Sequence, residues 1–341
     1  MIKRCNILST ISAVLCTVLM AVSLPACDGV IYDDLEACPH GVRLRFVYDH
    51  NMEFANSFHQ QVDCLTLYIY DAQGNFVTKA VETTDALKDE NYRMQIDLEE
   101  GDYRLIAYGG LACEKHSFKV VDEPMVTRAT DTDLQVAMDE GALGTQLHDL
   151  YYGNLKMTVE ANGYVENTLF LMKNTNNIRV MLQQVDNRVP LDDAHFTFAI
   201  TDDNTQLDYN NDLVANGIVS YTPWAQGTLG VGTTEGSEGE EAEDAKVAYA
   251  ELSIARLVAR TQQAPRLVVM NKETEREVIN IPLINYLLLL KSERYVQMSA
   301  QEFLDRESDW SLIFFLDQDG NWLRTQIIIN DWVVRINDTE Y

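Results

Sequence analysis

Basic residues are scarce in this chain: 26 Lys and Arg face 53 Asp and Glu over 341 residues, a formal charge of −27. Such a surface repels phosphate backbones and anionic headgroups, which excludes nucleic acid as a partner. Catalytic signatures are missing as well. There is no Gly-rich phosphate loop, no His-Glu-x-x-His, no Cys-x-x-Cys and no Gly-x-Ser-x-Gly elbow. The six histidines, His40, His50, His59, His116, His148 and His195, stand apart with no metal-ligand spacing. Asp317-Gln318-Asp319-Gly320-Asn321 opens like a calcium loop, but Ile328 occupies the place of its bidentate glutamate, so a hairpin turn is expected there. Asp192-Asp193 and Asp202-Asp203 could serve as the paired carboxylates of a glycosidase, but spacing in sequence gives no carboxyl separation and loops between strands are often acidic. The expectation is a protein that is not an enzyme, with no cofactor and no metal.

Long apolar runs are equally rare, and the one present is at the N-terminus. Lys3 and Arg4 precede the uncharged stretch Ile7 to Leu24, the plan of a secretory signal. Leu24-Pro25-Ala26-Cys27 resembles a lipobox, with leucine three before and alanine one before the cysteine; the proline departs from the pattern. Residues 1–26 are expected to be a lipoprotein signal peptide, Cys27 the lipidated residue and 27–37 a tether. An ordinary cleaved signal and an uncleaved anchor are the alternatives. Each buried acyl methylene would contribute about 0.8 kcal/mol to membrane attachment. Ile281 to Leu290 is too short to span and is expected to be buried core. Processing at Cys27 leaves 24 basic against 53 acidic residues, a charge of −29.

Three further cysteines remain. Cys64 lies in a strand-like run and reads as a buried thiol, while Cys38 and Cys113 sit at the edges of such runs and are the favoured disulfide pair. Spacing alone does not fix the connectivity.

What the chain has in quantity is period-two alternation. Val42, Leu44, Phe46 and Tyr48 share one face, with Arg43 and Arg45 on the other. Residues 65–77 place Asp-Ala-Gln-Gly-Asn between two β-rich arms, a hairpin pattern. Tyr92, Met94, Ile96 and Leu98 alternate, turn at Glu100-Gly101-Asp102, and return through Tyr103, Leu105 and Ala107 in the same plan. Asn162-Gly163 centres a third such pattern. A second set of strands starts near Asn176 and resumes after Gln226–Ala245, a stretch of five glycines and six acids expected to be a mobile surface loop. Asn271 to Thr274 reads as a turn, and Ser299 with Glu302 three residues on reads as a helix cap. Many short strands separated by turns indicate an all-β protein of antiparallel sandwiches, divided as 38–175 and 176–341.

Several stretches together resemble the FimB/Mfa-type anchor subunits of Bacteroidia type V fimbriae. They are ACPHGVRLRFVYDHNMEFANSF, VDCLTLYIYDAQGNFV, YRMQIDLEEGDYRLIAYGG with Cys113 following, FLMKNTNNIRVML, QEFLDRESDW and IIINDWVVRI. Their order covers nearly the whole chain after Cys27. The resemblance implies two tandem transthyretin-like β-sandwich domains, a lipid anchor at the outer membrane, a surface-exposed position in the fimbrium, and a stalk pilin as partner. It also implies that stalk subunits lose a first strand and accept a neighbour's C-terminal strand.

On that basis Ile327, Ile329, Trp332, Val334 and Ile336 are the candidate donor strand, with Trp332 to Ile336 the favoured portion. The alternative is that this run completes its own sheet. Val42 to Tyr48 is expected to stay in place, filling the groove that stalk subunits open. Two other functions fit the sequence: a fimbrial tip or accessory adhesin using Gln226–Ala245, and a glycan-binding surface lipoprotein stacking sugars on Trp224, Trp310, Trp322 or Trp332.

Overall fold

The computed structural model describes residues 39–341 apart from 126–129, 186–190, 234–243, 261, 292–294, 318, 330–331 and 337–341. The expected signal peptide and tether, with Cys27 and Cys38, therefore lie outside the described residues. The first half supplies β1 (Gly41–Val47), β2 (Leu65–Asp71), β3 (Phe76–Glu82), β4 (Met94–Asp97) and β5 (Gly101–Gly109). It continues with β6 (Phe118–Val120), β7 (Gln135–Met138), β8 (Tyr151–Val159), β9 (Tyr164–Phe170) and β10 (Met172–Lys173). The second half supplies β11 (Thr175–Gln184), β12 (Phe196–Asp202), β13 (Gln206–Asp208), β14 (Val219–Tyr221), β15 (Ala225–Thr233) and β16 (Asp244–Ala255). It ends with β17 (Arg266–Asn271), β18 (Arg276–Pro282), β19 (Asp309–Leu316), β20 (Trp322–Ile329) and β21 (Trp332–Ile336).

The N-terminal sandwich packs a three-stranded sheet, β4-β1-β9, on a five-stranded one, β10-β8-β5-β2-β3. The C-terminal sandwich faces a six-stranded sheet, β15-β16-β11-β19-β20-β21, with a four-stranded one, β14-β12-β17-β18. Among the described residues every ladder is antiparallel except two: β1 runs parallel to β9, and β11 parallel to β19.

The sandwiches are not independent. A small sheet, β13-β7-β6, draws strands from both halves. In β2, Leu65, Leu67 and Ile69 enter the N-terminal core, while Tyr68 and Tyr70 join a cluster that continues into Phe198, Leu312 and Phe314. Every residue from Leu65 to Tyr70 is consequently buried. A sheet covered on both faces needs apolar bulk at successive positions, which is why this strand alternates so weakly.

Residues 65–77 form the expected hairpin, β2–β3, and β17–β18 turns at Asn271, whose side chain accepts from the Glu273 and Thr274 N–H. The β19–β20 turn uses Asp317, which accepts from the Asp319 and Asn321 N–H as expected of a hairpin. Helix Ala300–Arg306 is capped by the Ser299 hydroxyl, 3.0 Å from the Glu302 N. Leu283, Ile284, Leu287 and Leu290 are core.

Two expected hairpins are instead arches. β4 pairs with β1 in one sheet while β5 pairs with β2 and β8 in the other. Likewise β8 pairs with β5 and β10, and β9 with β1, so Asn162-Gly163 carries the chain from sheet to sheet. Gly163 has φ +80°, the left-handed geometry its turn demands. After the turn, Met157, Val159 and Leu169 meet in one core from opposite sheets, as do Met94, Leu98, Leu105 and Ala107.

The expected loop Gln226–Ala245 is also revised, because β15 and β16 pair antiparallel on both sides of 234–243. Glycines concealed the strand, since they leave nothing to alternate. At Gly227 a Cβ would stand 2.9 Å from the Tyr249 ring, so the ring covers that backbone.

The disulfide joins Cys64 to Cys113, with Cα atoms 5.3 Å apart, which corrects the expected Cys38–Cys113 pair and the free-thiol reading of Cys64. Cys64 immediately precedes β2 and Cys113 follows β5, its antiparallel neighbour. The Leu65–Gly109 register and the Gly110 N–H on the Cys64 carbonyl bring the two cysteines together.

Candidate functional site

The candidate site has two parts, the first strand and the terminal edge. β1 is an inner strand. Four residue pairs tie it to β4 and seven to β9. Val42 and Leu44 are fully buried, and Phe46 and Tyr48 nearly so. Phe46 stacks on Phe58 at 5.6 Å between centroids, and Tyr48 meets Tyr151 edge-on at 5.0 Å. Burial, with Asp149 nearby, pushes the Tyr48 hydroxyl well above the usual range. Arg43 and Arg45 are exposed as expected, but Arg43 lies over the Tyr164 ring and donates to Gln95 Oε1 at 3.1 Å. Gly41 is pressed so close to the Ile96 carbonyl that no side chain fits.

Where β1 ends, the chain is fastened again. Asn56 Oδ1 accepts from the Tyr48 N–H, and the Ser57 N–H donates to the Tyr48 carbonyl. Arg306, from the second half, donates to the carbonyls of Asp49 and Asn51 and stacks on Phe54 at 4.6 Å. At the passage into β11, Lys173 pairs with Asp149 at 2.9 Å, and the buried Asn174 and Asn211 amides hydrogen-bond each other. Arg306 and Asn211 carry no sequence signature here, because their contacts join residues far apart in the chain.

The terminal edge contains the five candidate donor residues. The backbone places Ile327 opposite Leu312 and Val334 opposite Ile327; Trp332 lies opposite Ile329, and Ile336 opposite Thr325. The run thus adds β20 and β21 to its own sheet, and β21 is the last strand of that sheet among the described residues.

The paired acids serve the backbone. Asp192 accepts from the Ala194 N–H, while Asp202 is buried, accepts from the Asp203 N–H and pairs with Arg260. Burial pushes the Asp202 carboxyl up to about 6, outweighing Arg260, and pushes Glu307 up to about 7, outweighing hydrogen bonds from the Asp309 and Ser308 N–H. Five of the histidines face a carboxylate: His40 with Glu99, His59 with Glu90, His116 with Asp139, His148 with Asp63 and His195 with Glu273. Trp310 is buried with its indole N–H on Asn176, and Trp322 lies between Phe314 and Tyr286, so neither offers a stacking face. Trp224 is half-buried in a groove of about 400 Å³ beside Arg179 and Glu251.

The described chain is all-β, with β1 held between two strands of one sheet and β21 at the edge of another. The family of fimbrillin-A associated anchor proteins Mfa1 and Mfa2 matches residues 35–338, and the chain belongs to it. Its role is therefore a fimbria-associated one. A solved structure of a candidate adhesin from Bacteroides thetaiotaomicron VPI-5482 is 52% identical with a TM-score of 0.82, covering 89% of this chain and 100% of that one. A candidate polysaccharide-binding protein from the same strain is 28% identical, TM-score 0.73, over 88% of this chain and 99% of that one. The fimbrial anchor protein Mfa2 of Porphyromonas gingivalis shares the fold at 18% identity, TM-score 0.65, over 87% and 99% of the two chains. No curated protein sequence matches.

Proposed function

We propose that this chain is a lipid-tethered base subunit that fastens a fimbrial stalk to the outer membrane and ends its growth. The observation that carries the reading is β1, buried and paired along both edges. A subunit that accepts a neighbour's strand needs an open groove, whereas this one fills its own. Cys27 carries the lipid, and the β20–β21 end offers the strand exchanged with the stalk pilin.

The test is an arginine-specific protease applied to the folded protein, followed by N-terminal sequencing. Arg43 and Arg45 are expected to resist cleavage while exposed loops are cut. Efficient cutting at either arginine, followed by uptake of a stalk subunit, would sink the terminator role. In cells, Cys27→Ala is expected to release fimbriae, and truncation after Asn330 to loosen them.

The 52% identical candidate adhesin supports a second reading, a tip or accessory adhesin of the same fold. Deleting residues 234–243 separates the two: an adhesin loses host-cell binding, whereas a base subunit retains its fimbriae.

A further inference from the structure

We propose that the two parallel strand pairs act as shear clamps in series, making the chain a load-bearing link between membrane and stalk. The proposal rests on the reading that load enters ahead of β1 and leaves beyond β19. β1 and β9 pair through Gly41–Tyr164 to Val47–Phe170, seven residues in register. Load enters β1 at its N-terminal end and leaves β9 at its C-terminal end, toward the second half. In a parallel pair those ends lie at opposite extremes of the ladder. Tension therefore aligns with the strands, and all the rungs resist together. Pulled from the same end, the strands would peel one rung at a time.

The second clamp repeats the arrangement. Only Leu171 to Asn174 separate β9 from β11, and Asn174 is fixed by the Asn211 amide and by its N–H on the Leu150 carbonyl. β11 then pairs in parallel with β19 over eight residues, Asn177–Asp309 to Gln184–Leu316. Load enters β11 at its start and leaves β19 at its end, again in shear. Sliding is opposed by side chains as well, since a one-residue slip would turn Val42, Leu44 and Phe46 out of the core. The Cys64–Cys113 bond falls between β1 and β9 in the chain, so it does not cross-link the clamp and leaves the ladder to bear the load.

Single-molecule pulling of the chain from residue 27 onward, with Cys38→Ser, tests this directly. One set of molecules is held at the two chain ends. The other is held at the N-terminus and at Asn162→Cys, an exposed site beside Tyr164, so that the same β1–β9 pair is peeled. Reducing the disulfide lengthens an N-terminal unfolding step by 49 residues, roughly 17 nm of chain, and so identifies that event. Forced unfolding reads the unfolding rate, and the end-to-end force for this event is expected to be severalfold above the peeling force. Equal forces in the two geometries, or an end-to-end event at the peeling force, would overturn the proposal. The measurement needs no stalk. A chain that resists shear but fails to hold fimbriae refutes only the anchoring role, and one that holds fimbriae but yields in shear refutes only the clamp.

Discussion

The N-terminal sandwich begins with a strand locked between two neighbours, whereas the C-terminal sandwich finishes with a strand, β21, paired only with β20 among the described residues. Both use the same core device, an opening strand parallel to a later one, β1 with β9 and β11 with β19. They differ in closure. The N-terminal core is bounded by its own two sheets and a disulfide, while the larger cluster reaches from the back of β2 and β5 through both C-terminal sheets. β1 thus has a partner on both edges, whereas β21 has one partner strand among the described residues.

Removing strands tests the contrast most severely. Val42, Leu44, Phe46 and Tyr48 together contribute roughly 6–12 kcal/mol by burial, comparable with the whole stability of a domain. Deleting 41–48 is expected to leave the N-terminal half unprotected in hydrogen exchange, whereas deleting 331–341 leaves protection of both cores near that of the intact chain. If both deletions are equally destructive, the contrast between a locked strand and an edge strand is false.

Single core residues sharpen the point. Phe46→Ala and Phe314→Ala should each cost about 3–5 kcal/mol. Phe46 touches only the N-terminal core, so its loss should weaken exchange protection there alone. Phe314 belongs to the shared cluster, and its loss should weaken strands of both halves. Uniform loss from Phe46→Ala would show that the sandwiches unfold as one.

The disulfide comes next. Cys113→Ser opens a loop of 49 residues and should lower stability by about 2–4 kcal/mol in denaturant titration, with the effect confined to the N-terminal half.

In pH dependence the buried and the turn carboxylates act with opposite signs. Glu307 and Asp202 have folded values raised to about 7 and about 6 from ordinary values of 4.5 and 3.8. Between those limits the native state binds more protons than the unfolded one. Stability therefore falls as pH rises through roughly 4 to 7, by up to about 3 kcal/mol per group. Glu307→Gln is expected to flatten the melting temperature over that window. In the N-terminal half Asp71 is held low by Asn75, Glu82 by Thr84 and Asp133 by Thr130, so these groups lose stabilisation only as pH falls below the ordinary carboxylate range. An unchanged pH slope in Glu307→Gln would refute the assignment.

Much of this fold was legible in the residues. The alternation of Val42 to Tyr48, the Asp317 turn, the Ser299 cap and the burial of Ile281 to Leu290 are each set by chemistry within a few residues. The second and third hairpin patterns were misread because an arch and a hairpin have the same local signature. Each needs a turn flanked by arms with one buried face. The strand β15 gave no signal because its three glycines, Gly227, Gly230 and Gly232, break the alternation that marks a strand. Of the candidate site, β1 was recognised from its own residues, while its parallel partner β9, Asn56 and Arg306 were not.

Local sequence determined where strands begin and end and which of their faces are apolar, since those depend on period, turn residues and caps. Only the tertiary structure decided which strands share a sheet, which cysteine meets Cys113, and that β2 is covered on both faces. Those outcomes depend on contacts between segments tens to hundreds of residues apart. Hydrophobic burial is non-directional and rewards any partner of the right shape, so the choice among partners is made only when the whole chain packs.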